Sequence, residues 1–184
     1  MTRAVTTLGL VSSALIIGAC DGGLGGGGGI EPDEVSALPN GDAVGTAASG
    51  NYELELYTTT CRGACPVLRS GIGVISLCDI GEVDYPELDA TQLDGHLTMK
   101  TYGLSPDRLA GGLHADGQFV VGGWGTRYGA TVVVRADGAL AGETITGVAE
   151  VRQYGEYDGT SFDCTSMHEI TGARSGPVLD AAYR

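Results

Sequence analysis

Alternation of apolar and polar residues is the clearest pattern in the chain after about residue 50. The first such stretch places Tyr52, Leu54 and Leu56 on one face, with glutamates at the positions between them. A period of two residues is typical of a strand with one buried face. No stretch after residue 20 shows a 3.6-residue period. The chain is therefore predicted to be all-β, with further strands at 74–80, 96–102, 109–114, 118–122, 131–135, 139–141, 144–154 and 161–173.

The residues predicted to face inward stand at alternate positions of these strands. In the later strands they are Leu97, Met99, Phe119, Val121, Val132, Val134, Ile145, Ala149, Val151, Phe162, Cys164 and Ile170.

Four Asp-Gly pairs recur every 21 or 22 residues, at Asp94-Gly95, Asp116-Gly117, Asp137-Gly138 and Asp158-Gly159. Asp-Gly favours the tight turn of a β-hairpin, because both central positions of that turn need positive φ. The repeat indicates successive hairpins with all four turns at one end of the sheet. The expected fold is an antiparallel meander of about eight or nine strands, either a small barrel resembling the lipocalin architecture or a two-sheet sandwich.

The N-terminal residues have the pattern of an export signal. A positive Met1-Thr2-Arg3 precedes an apolar run from Ala4 to Ile17, and Leu15-Ile16-Ile17-Gly18-Ala19-Cys20 ends it with small residues before a cysteine. The run is shorter than a membrane span and is interrupted by polar residues. It resembles the lipobox of bacterial lipoprotein signal peptides. The resemblance covers only this segment and implies cleavage before Cys20 and acylation (palmitate or a similar lipid) of its thiol, the one cofactor-like group expected.

Four segments are expected from this interpretation: a cleaved signal at 1–19, a lipidated cysteine and flexible glycine-rich tether at 20–49, a β domain at 50–174 and a tail at 175–184. The lipid would hold the domain at a membrane of the bacterial cell envelope, on the exported side. The outer membrane or cell surface is favoured, although Asp21 resembles an inner-membrane retention signal.

Charge and cysteine content narrow the compartment and the partners. The formal net charge of −13 argues against nucleic acid as a partner. Besides Cys20 there are four cysteines, an even number that suggests two disulfides in an oxidising compartment. Three pairings are open, and one bridge is expected to tie the last strand to the start of the domain. The four residues are Cys61, Cys65, Cys78 and Cys164.

The segment 122–129 carries the only tryptophan and is too rich in glycine to predict a good strand. Trp124, Arg127 and Tyr128 are candidates for a recognition loop, because aromatic and arginine side chains are common anchors of interfaces. The alternative is that Trp124 folds back and plugs the end of the barrel.

Six carboxylates gather between residues 79 and 94, and Asp84, Glu87 and Asp89 are weak candidates for a calcium site. A solvated acidic loop is the alternative. The histidines, His96, His114 and His168, stand on three different predicted strands.

No residue pattern indicates catalysis, since neither a Gly-x-Ser-x-Gly elbow nor a His-Glu-x-x-His motif occurs. The sequence favours a non-enzymatic binding or structural module of the envelope, with a protein or glycan partner. The second hypothesis is a carrier of a small apolar ligand inside the barrel, and an envelope enzyme is the third.

Overall fold

A computed structural model of the chain describes residues 29–70, 73–102 and 104–178. These residues form one short helix, α1 (Pro32–Ser36), and the strands β1 (Gly50–Ala64), β2 (Val67–Ser70), β3 (Gly73–Ser76), β4 (Val83–Asp84), β5 (Glu87–Leu93), β6 (His96–Thr101), β7 (Arg108–Leu113), β8 (Gln118–Arg127), β9 (Ala130–Ala141), β10 (Thr144–Tyr157) and β11 (Thr160–Gly176). Within these ranges no helix is long and apolar enough to cross a membrane.

Eight strands form a closed antiparallel barrel. Strands β5 to β11 pair in chain order, β5 pairs with β1, and β11 returns to pair with β1 from Asn51↔Gly176 to Ala64↔Asp163. Closure gives every barrel strand two neighbours. The short strand β4 pairs with β1 at Leu56 and Tyr57 as an addition to the barrel. The prediction of an all-β meander that closes into a small barrel is confirmed.

The alternating pattern identified the inward faces correctly. Tyr52, Leu97, Phe119, Val121 and Ile145 are almost completely buried in one core. The other predicted inward residues are buried or partly buried. The apolar positions of a strand point into the barrel because successive side chains alternate between its two surfaces.

The barrel has two different ends. The closed end holds the β5–β6, β7–β8 and β9–β10 turns, and the open end holds the β6–β7, β8–β9 and β10–β11 connections. Asp94-Gly95 and Asp116-Gly117 lie at the closed end, whereas Asp158-Gly159 lies at the open end. The prediction that all Asp-Gly turns share one end is therefore wrong.

The pair Asp137-Gly138 is not a turn, because it lies inside β9. A Cβ at Gly138 would come within 2.7 Å of the Phe119 ring and 2.3 Å of the Thr146 carbonyl oxygen. Glycine is present there to make room for packing, and its conformational freedom is not used. The residues predicted as two strands, 131–135 and 139–141, are thus one long strand.

Residues 29–49 pack against the barrel, which corrects the predicted boundary of the tether. Val35 of α1 is 3% exposed, and α1 packs on the outer surface of β8 and β9. The chain then covers the closed end, where Gly41 N donates to the Gly95 carbonyl at 2.8 Å and Ala43 N to the Leu113 carbonyl at 3.0 Å. The stretch was predicted to bury nothing because it is polar and rich in small residues, but small residues allow this close backbone contact.

The second predicted strand, 74–80, is also shorter than expected. Strand β3 ends at Ser76 and pairs only with β2, so this hairpin forms its own two-stranded sheet at the open end. Cys78 follows it in a loop. Strand β11 extends to Gly176, two residues beyond the predicted end of the domain.

Candidate functional site

The interior of the barrel contains a cavity that opens at the open end. Its volume is about 270 Å³, just below the range of about 300–1,000 Å³ that is typical of pockets for drug-sized ligands. The lower wall, towards the closed end, is apolar and is built by inward residues of most barrel strands, including Leu54, Leu88, Phe119, Ile145 and Ile170. Small side chains on β9 and β10, such as Ala136 and Ala149, leave the space free.

Three polar side chains form a stripe on one wall of this cavity, which we call the polar stripe: Thr58 of β1 and Ser166 and His168 of β11. Thr58 Oγ1 lies 3.1 Å from His168 Nδ1, and Ser166 Oγ lies 2.8 Å from His168 Nε2. The residues Thr58 and Ser166 are 3% and 2% exposed. Burial lowers the pKa of His168, while the charge of Asp84 opposes this shift, so the imidazole is neutral at pH 7.

The Ser166 and His168 contact has the distance of a nucleophile and its general base, but its surroundings do not favour acyl transfer. Strand β11 pairs on one side with β1 and on the other with β10 throughout this region. The backbone N–H groups around Ser166 are therefore engaged in the sheet and do not point together at one oxyanion position. The arrangement suits hydrogen bonding to a bound molecule better than covalent catalysis.

The mouth of the cavity is acidic along the side formed by β4 and the start of β5. Asp79, Glu82, Asp84 and Glu87 line it there. Loss of hydration and the charges of Asp84 and Asp79 raise the pKa of Glu82. Arg127, on the opposite side of the barrel, also lines the cavity. The entrance therefore presents mainly negative potential to an incoming molecule.

The loop after β3 lies at the mouth of the cavity and is held there by one hydrogen bond and one disulfide. Gln153 Nε2 of β10 donates to the Leu77 carbonyl at 3.5 Å. A disulfide joins Cys78 in this loop to Cys61 in β1. The second disulfide joins Cys65 to Cys164. The prediction of two disulfides is confirmed, as is that of a bridge between the last strand and the start of the domain.

The three residues predicted to form a recognition loop do not act as one loop. Trp124 lies within β8, on its outer face, and is 51% exposed, so the alternative that it plugs the barrel is wrong. Arg127 ends β8, and Tyr128 forms the β8–β9 turn with positive φ. Both line the mouth of the cavity, and the guanidinium carbon of Arg127 is 5.3 Å from the centre of the Tyr128 ring. Glycine is compatible with a strand here because other parts of the chain lie against the glycine positions of β8 and leave little room for a side chain.

The three calcium candidates differ in burial and in their hydrogen bonds. Asp89 is buried and accepts hydrogen bonds from Asn51 Nδ2, at 3.0 Å, and from the Tyr102 hydroxyl. Asp84 and Glu87 are exposed at the mouth. Across the part of the chain that the structure describes, no three His, Cys, Asp or Glu side chains are grouped to hold a metal ion.

The three histidines do not converge. His96 bonds to Asn40 Oδ1 at 2.8 Å, and His114 bonds to Asp42 Oδ1 at 3.2 Å, both at the closed end. Only His168 lies in the cavity. The polar stripe was missed in the sequence, although Ser166 and His168 are two positions apart and so must share a strand face.

No protein-family model matches the chain, and no curated protein matches it closely enough to count as a relative. Cys20 and the whole signal segment lie outside the described residues.

Proposed function

We propose that this protein binds a small, mostly apolar ligand inside its barrel and carries it without chemical conversion. The observation that supports this most directly is the open cavity with an apolar lower wall. Burial of apolar ligand surface there would contribute about 25 cal/mol per Å² before the costs of association. The cavity favours the carrier over a purely structural module, because a structural barrel of this size can fill its interior with side chains.

Filling the cavity tests this proposal. Ala149 is buried on the inner wall, and its neighbour Val148 is exposed on the outer wall. Ala149→Phe places a ring in the ligand's space, whereas Val148→Phe adds the same ring outside and is the matched control. We expect saturable 1:1 fluorescence enhancement of N-phenyl-1-naphthylamine with wild type and the control, and at least tenfold weaker binding with Ala149→Phe.

Overpacking costs about 1–3 kcal/mol and could unfold the variant. Ala149→Met, which is smaller and flexible, provides a second filling variant with a milder expected loss of affinity. Circular dichroism must show a folded barrel for each protein. Equal probe affinity in the wild type and in a folded filling variant would contradict the proposal.

The carrier is proposed to be anchored in the bacterial envelope by acyl chains on Cys20. The sequence around Cys20 supports this, as do the two disulfides, which are typical of exported proteins. With residues 29–49 packed on the barrel, only residues 21–28 would separate lipid and domain. Cys20→Ser should move the protein from the membrane to the soluble fraction, and intact mass should lose the lipid increment. Retention of the variant in the membrane would contradict the anchor.

A second candidate function is partner binding through the outer wall near the open end. Trp124 supports it, since half of this large aromatic side chain is exposed. Exposed tryptophan is a frequent anchor in interfaces with proteins and glycans. Trp124→Ala should then weaken capture of an envelope partner while leaving probe binding in the cavity unchanged. Unchanged capture of the partner would contradict this second candidate function.

A further inference from the structure

The polar stripe has one more hydrogen-bond donor than its own members can use. A neutral imidazole has one N–H donor and one acceptor nitrogen, and each hydroxyl has one O–H donor. The contacts of His168 with Thr58 and Ser166 therefore consume the N–H and one of the two O–H groups. Whichever ring nitrogen carries the proton, one O–H remains.

This remaining donor has no protein acceptor among the described residues. The hydroxyls of Thr58 and Ser166 make no other hydrogen bond there, and both are almost completely buried in the wall of the cavity. A buried donor without a partner costs about 1–3 kcal/mol, so an occupant that accepts its hydrogen is favoured. The donor lies beside an apolar space large enough for a small molecule.

The mouth restricts the charge of that molecule. The pKa of Glu82 is raised first by loss of hydration and then by the negative charges of Asp84 and Asp79, so these carboxylates already repel one another. Within the part of the chain that the structure describes, none of the three is in an ion pair. An anion entering the cavity would add to this repulsion, because like charges at short range are unfavourable.

Resting on the proposed carrier function, we infer that the ligand is a neutral apolar molecule with a hydrogen-bond acceptor, such as a ketone or an ester, and not a fatty-acid anion. Its acceptor oxygen binds the free hydroxyl of the polar stripe. Its hydrocarbon part lies against the apolar lower wall. The donor count supplies the requirement for an acceptor. The carboxylates at the mouth outnumber the guanidinium of Arg127 that lines the same cavity, so they disfavour an anion.

Three probes of nearly the same shape test the inference by calorimetric titration at pH 7.5. Acetophenone carries a neutral acceptor, ethylbenzene has none, and benzoate carries a negative charge. The variant replaces Thr58→Val, Ser166→Ala and His168→Leu together, so that no donor remains in the stripe. The control replaces the outward-facing cross-strand pair, Thr146→Val and Thr171→Val.

We expect the stripe variant to bind acetophenone about two- to twelvefold more weakly than wild type, which is the range for one neutral hydrogen bond. Ethylbenzene should bind the variant as tightly as wild type or more tightly, and the control should change neither. Equal changes in affinity for acetophenone and ethylbenzene would overturn the acceptor requirement. The same equal changes are expected if water satisfies the donor.

The anion arm uses Glu82→Gln with Asp84→Asn. Benzoate should bind wild type more weakly than acetophenone and should gain a few-fold in this variant, while acetophenone stays the same. The control replaces two outward carboxylates, Glu143→Gln and Glu169→Gln. Benzoate as the tightest ligand of wild type would overturn the charge restriction. If none of the three probes bound while N-phenyl-1-naphthylamine still did, the inference would fail and the carrier function would stand. If N-phenyl-1-naphthylamine did not bind either, both would fail.

Discussion

The two disulfides are predicted to differ in role. Cys65–Cys164 should contribute more to stability, and Cys61–Cys78 should contribute more to ligand binding. Cys65–Cys164 closes a loop of 99 residues, and Cys61–Cys78 closes one of 17. In the chain-entropy description these loops correspond to about 4.7 and about 3 kcal/mol at 25 °C. Replacing both cysteines of the long-range bridge by alanine should therefore lower the free energy of unfolding by about 1.5 kcal/mol more than replacing those of the short bridge.

Urea unfolding followed by far-UV circular dichroism measures both variants against wild type. The slope with urea must be compared as well, because opening a long loop lets the unfolded chain expand and raises the slope. An equal loss of stability on removal of the short bridge and of the long one would contradict the dependence on loop length.

Ligand affinity should follow the opposite order. Cys78 lies in the loop that leans across the mouth and lines the cavity, and its bridge to Cys61 fixes that loop. Cys61→Ala with Cys78→Ala should weaken binding of N-phenyl-1-naphthylamine more than Cys65→Ala with Cys164→Ala, although the second variant is the less stable. The measurement is a fluorescence titration under conditions in which both variants are folded.

Three further changes test the packing and the electrostatics. The pKa of His168 is lowered in the folded state, so the unfolded chain binds a proton at a higher pH than the folded protein does, and stability should fall as the pH drops below about 6.5. Urea unfolding between pH 7.5 and 5.5 should show a smaller loss of stability for His168→Gln than for wild type. An unchanged loss would assign it to other groups. Gly138→Ala should cost at least about 2 kcal/mol, since the new methyl group meets the Phe119 ring and backbone, and a cost below about 0.5 kcal/mol would contradict that packing. Arg152 of β10 forms ion pairs with Glu31, which precedes α1, and with Asp163 of β11. Arg152→Met removes both, and because both carboxylates are about half exposed it should cost about 1–2 kcal/mol, less than breaking a fully buried pair. It should also speed hydrogen exchange at 29–36, and unchanged protection there would show that the Arg152–Glu31 pair does not hold the segment.

The strands and their inward faces could be predicted because an alternating pattern has one physical solution, a sheet with one buried surface. Tyr52 and Phe119 are examples. Tyr52 stands between two polar residues, and Phe119 stands two positions from another apolar residue of its strand, so both are expected on the buried face. The connectivity of a meander also followed from short connections. Cysteine pairing could be predicted only in part, because spacing alone does not select among three pairings.

Glycine misled the prediction wherever it serves packing and not turning. At Gly138 the missing side chain accommodates Phe119, and at Gly41 it allows the backbone to approach Leu113 closely. Such uses depend on residues far away in the sequence, so a local pattern such as Asp-Gly or a polar, small-residue stretch cannot reveal them. The turn that the repeat did not predict, at Tyr128 and Gly129, carries positive φ at both residues.

The candidate site was mostly hidden for the same reason. The acidic mouth and the polar stripe come from strands that are adjacent only after the barrel closes, since Thr58 and His168 are separated by 110 residues. Only the shared face of Ser166 and His168 was visible in the sequence. The cavity itself results from small residues on β9 and β10 facing larger ones across the barrel, a property of the whole sheet.

The location of a bound probe tests the carrier proposal most directly. Nuclear Overhauser contacts from N-phenyl-1-naphthylamine should reach the methyl groups of Val132 and Ile145 and the ring of Phe119, which line the cavity. Contacts confined to the indole of Trp124 on the outer wall, with none to these inward side chains, would contradict ligand binding in the barrel.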